Sequence, residues 1–221
     1  MQKRTLKIGD YITADHGWTL TSLKLSDPDP KLNYVEKTGG DGSWDLSTVT
    51  TGGLTRYRDR TLTATLECSK GTREDREDLI NELVNDYDGL QWPIVIPDRP
   101  DHYLQGRVRI AVNYSDLAHA AITVTATCEP WLYRARESIL ELTVDSSAQT
   151  VIIRNDGRRA VIPALTVSGD IYLRFGIFTT HLSGEGAAYE WSPLLLTPGI
   201  HELEYYGAGA ITITYREAVL R

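Results

Sequence analysis

Cysteine is nearly absent from this sequence. There are two, Cys68 and Cys128, and neither belongs to a Cys-x-x-Cys or Cys/His cluster. Two cysteines make no disulfide framework, so the pair reads as buried and reduced, and the fold must be held by burial alone. Histidine is almost as scarce. His16, His102, His119, His181 and His201 stand at least 17 residues apart, which leaves no H-E-x-x-H or Cys/His spacing for a metal. Long apolar runs are missing too. Nothing approaches the roughly 20 apolar residues of a membrane-spanning helix, and MQKRTLKIGDYI lacks the apolar core of a signal peptide. The expectation is a chain assembled in the cytoplasm without membrane insertion. Lysine stops at Lys70, so every later cation is an arginine. No contiguous stretch forms a basic stripe, which speaks against sequence-specific nucleic-acid binding.

Catalytic signatures are equally sparse. There is no G-x-S-x-G elbow, and Gly39-Gly40-Asp41-Gly42 lacks the lysine and following helix of a phosphate loop. Asp27-Pro28-Asp29-Pro30 lacks the glycine and terminal glutamate of a calcium loop and reads as a stiff turn. The densest polar cluster is Asp98-Arg-Pro-Asp101-His102-Tyr103. It reads as a turn between strands Trp92–Ile96 and Arg107–Val112, with a glycosidase using Asp98 and Asp101 as the remote alternative. The expectation is therefore no catalytic residue, no cofactor-binding residue, no cofactor and no metal ligand, in a protein that is not an enzyme.

What the sequence does contain is period-2 alternation. In 221 residues, 41% hydrophobic and 24% charged with a net charge of −7, the apolar positions recur every second residue. Leu62, Ala64, Leu66 and Cys68 face one way while Thr61, Thr63, Thr65 and Glu67 face the other. Val108, Ile110 and Val112 repeat the pattern, as do Ile122, Val124, Ala126 and Cys128. Later strands are expected at Val151–Arg154, Val161–Val167, Ile171–Phe178, Ile200–Tyr206 and Ala210–Tyr215. The turn signals between them include Asn155-Asp156-Gly157, Ser168-Gly169-Asp170, Thr197-Pro198-Gly199 and Gly207-Ala208-Gly209. One helix interrupts. Thr72 can cap it, acids crowd its first turns, and Leu79, Ile80, Leu83, Val84 and Tyr87 share a face before Asp88-Gly89 closes it, which predicts a helix over about 73–88. Cys128 ends an inward-facing row, the stretch Cys128–Arg134 closes the first strand set with a proline, and the polar crossing Arg134–Glu137 divides an N-terminal domain, 1–136, from an all-β domain, 137–221. Thr38–Gly53, rich in Gly, Ser, Thr and Asp, reads as a long loop or hairpin arm.

Several stretches, in order along the chain, resemble one family. Gly40-Asp-Gly-Ser-Trp-Asp45-Leu46, continuing through Gly52 to Tyr57 and Arg60, is similar to the "D-G-x-x-D-L-T…G…Y-x-x-R" segment of distal tail proteins of long-tailed, non-contractile phages and prophages. Helix 73–88 ends in the family's glycine, and Tyr103-Leu-Gln-Gly106-Arg107-Val108 resembles its "Y-Y-x-G-R-V" hairpin. Glu129-Pro130-Trp131 resembles the "E-P-Y/W" junction, Asn155 to Pro163 the "N-x-G-x-x-x-x-P" opening of the second domain, and Gly209 to Glu217 the closing "G-x-V-T-I-x-Y-R-E" strand. Ser47 and Gly53 depart from the pattern. The resemblance implies a mainly β fold with one helix: an N-terminal β-barrel-like domain and a C-terminal galectin-like β-sandwich. It also implies a homo-hexameric ring at the virion tail tip, with the tail tube protein and the tail-tip hub protein as partners. A second reading makes the C-terminal sandwich a carbohydrate-binding module for host surface glycans, through Tyr172, Tyr189, Trp191, Tyr205, Tyr206 and Tyr215.

Overall fold

The computed structural model of the protein describes residues 5–113 and 120–221. The chain forms two compact units, Met1–Pro130 and Trp131–Arg221. The first contains β1 (Lys7–Ile8), β2 (Tyr11–Ile12), β3 (Thr19–Leu25), β4 (Tyr34–Glu36), β5 (Ser43–Asp45), β6 (Arg60–Cys68), α1 (Arg73–Tyr87), β7 (Gln91–Val95), β8 (His102–Asn113) and most of β9 (Ala120–Arg134). The second contains the end of β9, β10 (Ser138–Val144), β11 (Gln149–Asn155), β12 (Ala164–Phe175), β13 (Phe178–Glu190), β14 (Gly199–Tyr215) and β15 (Ala218–Val219). The protein is mainly β, with a single α-helix among the described residues.

In the first unit a curled sheet runs in the order β2-β1-β7-β8-β9-β6-β3. The alternation dictates its faces. Leu62 lies opposite Ala126, Ala64 opposite Val124 and Leu66 opposite Ile122, and all six are fully buried. The other face of the same two strands pairs Thr61 with Thr127, Thr63 with Thr125 and Thr65 with Thr123, a β-branched ladder suited to a half-exposed surface. Helix α1 opens with a capping box: the Asp75 N–H donates to Thr72 Oγ1 at 3.2 Å, and the Thr72 N–H donates to Asp75 Oδ2 at 2.7 Å. That donation holds the Asp75 carboxyl below its usual range. Ile80 and Leu83 are buried, while Tyr87 meets Tyr11 at 5.5 Å and Trp92 at 5.2 Å between ring centres. Trp18 Nε1 donates to the Tyr11 hydroxyl at 3.0 Å inside this cluster, and burial pushes the Tyr11 phenol up.

Strand β9 corrects one expectation. The inward-facing row expected to end at Cys128 runs on, since β9 continues through Pro130 to Arg134. The physical reason lies in β6, whose pairing with β9 stops at Arg60 opposite Cys128, so the N–H that Pro130 lacks is not needed on that side. The buried Arg60 occupies the gap, donating from Nε to Ser26 O at 2.8 Å and from Nη1 to Pro130 O at 3.4 Å.

The same register settles the cysteines. Cys128 faces Arg60, eight residues along β6 from Cys68, so roughly 25 Å separates the two thiols. A disulfide needs its α-carbons about 6 Å apart. Both are free and buried, and burial pushes the Cys128 thiol up to about 12. A raised thiol pKa means that the native state holds the proton more tightly than the unfolded chain. Its contribution to stability is intact below about pH 9 and is lost as pH climbs toward 12. Cys128 should accordingly stay unlabelled by iodoacetamide at pH 8 in the native protein and react when denaturant is added. Mass mapping of the alkylated peptide checks this.

The main sheet of the second unit has five strands, ordered β10-β14-β12-β13, with β11 added beside the first half of β14. It also corrects two expectations. Ser168-Gly169-Asp170 and Gly207-Ala208-Gly209 are not turns between strands; they lie within the continuous strands β12 and β14. Gly169 pairs with Gly209 on one side and Gly184 on the other, with φ values of 107°, 137° and 144°, and Gly207 follows at 139°. This row of glycines is a crease. A β-carbon on Gly209 would sit 1.9 Å from Ser168 O, and one on Gly207 2.1 Å from Asp170 O. No side chain stands on this line, which lets the strands approach closely there. Leu165, Val167, Ile211 and Ile213 on one side then share a core with Ile171, Leu173, Leu203 and Tyr205 on the other. The strand pattern survives, but the glycines serve it as a fold line.

Glu217 closes this unit. It is 3% exposed; the Asp156 N–H donates to its Oε1 at 3.0 Å, and Arg134 Nη1 lies 2.7 Å from its Oε2. Ala218 and Val219 pair with Tyr133 and Leu132, so β15 is fastened where β9 ends.

Candidate assembly surface

The segment from Lys31 to Asp59 contains no buried residue, although β6, which follows it, buries every second side chain. It leaves the sheet through paired backbone: Lys31 N–H donates to Arg56 O and Arg58 N–H to Asp29 O, each at 2.8 Å. An Arg58–Asp29 ion pair of 3.1 Å flanks this neck. Beyond it, β4 and β5 form an isolated hairpin, with Tyr34 opposite Asp45, Val35 opposite Trp44 and Glu36 opposite Ser43. The Asn33 N–H donates to Ser47 Oγ at 2.8 Å and the Ser47 N–H to Asp45 Oδ1 at 2.9 Å. Hydrogen bonds from the Ser47 side chain and backbone hold the Asp45 carboxyl below its usual range.

Opposed residues of an antiparallel pair project to one face. One face of the hairpin therefore carries Val35, Trp44 and, through the Leu46–Asn33 backbone bond, Leu46. Lys37 Nζ lies 5.0 Å from the centre of the Trp44 ring. The opposite face presents Tyr34, Glu36, Ser43 and Asp45. The first face is apolar and uncovered, with Trp44 61% exposed. A lone two-stranded hairpin is marginal in water, and a tryptophan on its surface adds nothing to its stability unless something lies against it. The composition predicts an arm over 38–53, and the first strand of the hairpin, Tyr34–Glu36, lies ahead of that stretch. The alternating Tyr34-Val35-Glu36 before Gly39 and Gly42 was the signal available.

The other singled-out residues scatter. His16 stacks on Tyr11 at 3.9 Å, His201 donates from Nε2 to Thr197 O at 2.7 Å, and His181 stacks on Tyr172 at 4.4 Å. His102 opens β8, and His119 lies outside the described residues. No group of three metal-ligating side chains occurs among the described residues. Asp98 and Asp101 are exposed in a turn closed by Arg99 N–H to Ile96 O and His102 N–H to Arg99 O, each 3.1 Å. Of the six aromatics proposed for sugar binding, Tyr205 is buried, and Tyr189, Trp191 and Tyr215 pack against the core of the second unit. Tyr172 and Tyr206 are exposed but stacked on each other at 5.0 Å, with His181 against Tyr172 from the neighbouring strand.

No family model matches the sequence, and no curated protein matches it. Among solved structures the chain is similar to the SPP1 Dit protein, described as a paradigm of the hub adsorption apparatus in phages that infect Gram-positive bacteria. The TM-score is 0.67 at 14% identity, over 96% of this chain and 98% of that one. At that coverage the likeness in fold takes in both units of this chain.

Proposed function

We propose that this chain is a non-enzymatic structural subunit of a phage tail tip. Copies assemble into a closed, six-membered ring that joins the tail tube to the tail-tip hub protein, after assembly in the cytoplasm of the bacterial host. The observation that carries this is the arm. It extends an apolar face, Val35, Trp44 and Leu46, away from its own core, as expected of a surface completed by another copy. A ring requires heterologous contacts, in which one face of each copy meets a different face of the next. An arm that leaves its own core is suited to such a contact. The fold likeness supports the same reading, and the exposed turn around Asp98 and Asp101 offers no sheltered carboxylate for glycoside hydrolysis.

Sugar binding is the weaker reading, because Tyr172 is enclosed between two rings and lacks the free face on which a sugar stacks. The adaptor role is tested by co-purification with tail tube and tail-tip hub proteins of a long-tailed phage. Retention of both on the immobilised chain is the expected result, and capture of neither contradicts the role.

A further inference from the structure

The absence of lysine after Lys70 has a spatial counterpart. Six arginines distant in sequence, Arg134, Arg136, Arg154, Arg158, Arg159 and Arg216, converge on the segment that closes the second unit. Arg216 Nη1 donates to Arg134 O at 2.6 Å and to Ala135 O at 2.8 Å. The Arg158 N–H donates to Ala218 O at 2.7 Å, and the Tyr215 hydroxyl donates to Arg154 O at 2.7 Å. Arg159 lies 5.4 Å from the Tyr133 ring, and Arg136 sits in the turn between β9 and β10. Three carboxylates neutralise part of this: Glu217 pairs with Arg134, Glu137 with Arg216 at 2.9 Å, and Asp156 with Arg154. The cluster keeps a surplus of three positive charges in a chain of net charge −7, and Arg136 and Arg158 are exposed.

The first unit carries the complement. Glu74, Asp78, Glu82 and Asp86 are all exposed and follow one another at four-residue spacing on α1. They form a single carboxylate row about 18 Å long. Like charges at that spacing repel and weaken a helix. Arg73 is drawn to Glu77 at 2.8 Å, outside the row, and His16 Nδ1 approaches Glu82 at 3.8 Å.

We infer that the arginine cluster is a docking surface for the α1 carboxylate row of a second copy of this chain. Guanidinium forks match carboxylates in pairs, which a helix row with repeating acids presents in series. The inference rests on the ring reading, since it needs copies side by side. It adds a second, electrostatic contact to the apolar one made by the arm. Such a contact fixes register and speeds encounter more than it adds affinity, and it weakens with salt.

The test is self-association of the full chain by sedimentation velocity, at about 0.05 M and about 0.5 M salt. Arg136→Glu/Arg158→Glu should weaken association about tenfold at low salt and little at high salt, with the melting curve unchanged. Adding Asp78→Arg/Asp86→Arg to that variant should restore it. A weakening that this swap does not restore overturns the assignment of α1 as the partner. Association unaffected by the double substitution overturns the docking surface and leaves the ring intact, whereas a monomeric wild type overturns both. Loss of fluorescent duplex DNA binding in the double variant, with self-association unchanged, would identify the cluster as a nucleic-acid contact instead.

Discussion

Replacing Gly209 with alanine should unfold the second unit or come close to it, at a cost of about 4 kcal/mol. Two effects add. The backbone there has φ 137°, a region almost closed to L-residues, and the new β-carbon would lie 1.9 Å from Ser168 O and 3.0 Å from the α-carbon of Gly169. Relief would require β12 and β14 to separate at the crease, between Leu165 and Ile213 on one side and Leu173 and Leu203 on the other, all members of one core. Gly186→Ala is the matched control. Its φ is also positive, at 68°, but nothing lies within 4 Å of the added carbon, so it should cost only about 1 kcal/mol. Chemical denaturation followed by tryptophan fluorescence separates the two. Equal, small losses would mean that the crease is not a packing constraint.

The second large effect concerns assembly and leaves folding alone. Trp44→Ala removes the largest apolar side chain from the uncovered face of the arm. With Trp44 61% exposed, the isolated chain should keep its melting temperature, within about 0.5 kcal/mol of stability. In the proposed ring the Trp44 side chain is a desolvated anchor between copies, so its loss should weaken association about a hundredfold. Lys37→Ala should weaken association less, since it removes only the cation beside the ring. A Trp44→Ala chain that assembles as the wild type does would place the contact elsewhere.

How much of this was legible in the sequence depends on range. The strands around Leu62–Cys68 and Ile122–Cys128 were readable because each buries one face, and period-2 alternation records that directly. The helix was readable because Thr72, the early acids and Gly89 mark its ends, and its observed span is Arg73–Tyr87. The crease was not. Gly169, Gly207 and Gly209 carry the same local signal as a turn, and only the cross-strand register shows that they align. The continuation of β9 through Pro130 escaped for a related reason, because whether a missing N–H matters depends on where the neighbouring strand stops. The arginine cluster was invisible because its members come from three separate segments, 134–136, 154–159 and 216. The arm was half legible: its glycines announced a hairpin, but an apolar face with nothing beneath it is a property of the fold.

Closure of copies into a ring through the arm, as proposed, is tested most directly by native mass spectrometry of the purified full chain across a concentration series. The expected result is a species six times the 24.7 kDa chain mass, growing with concentration and lost in Trp44→Ala. A strict monomer at every concentration, with the tube protein present, would contradict it.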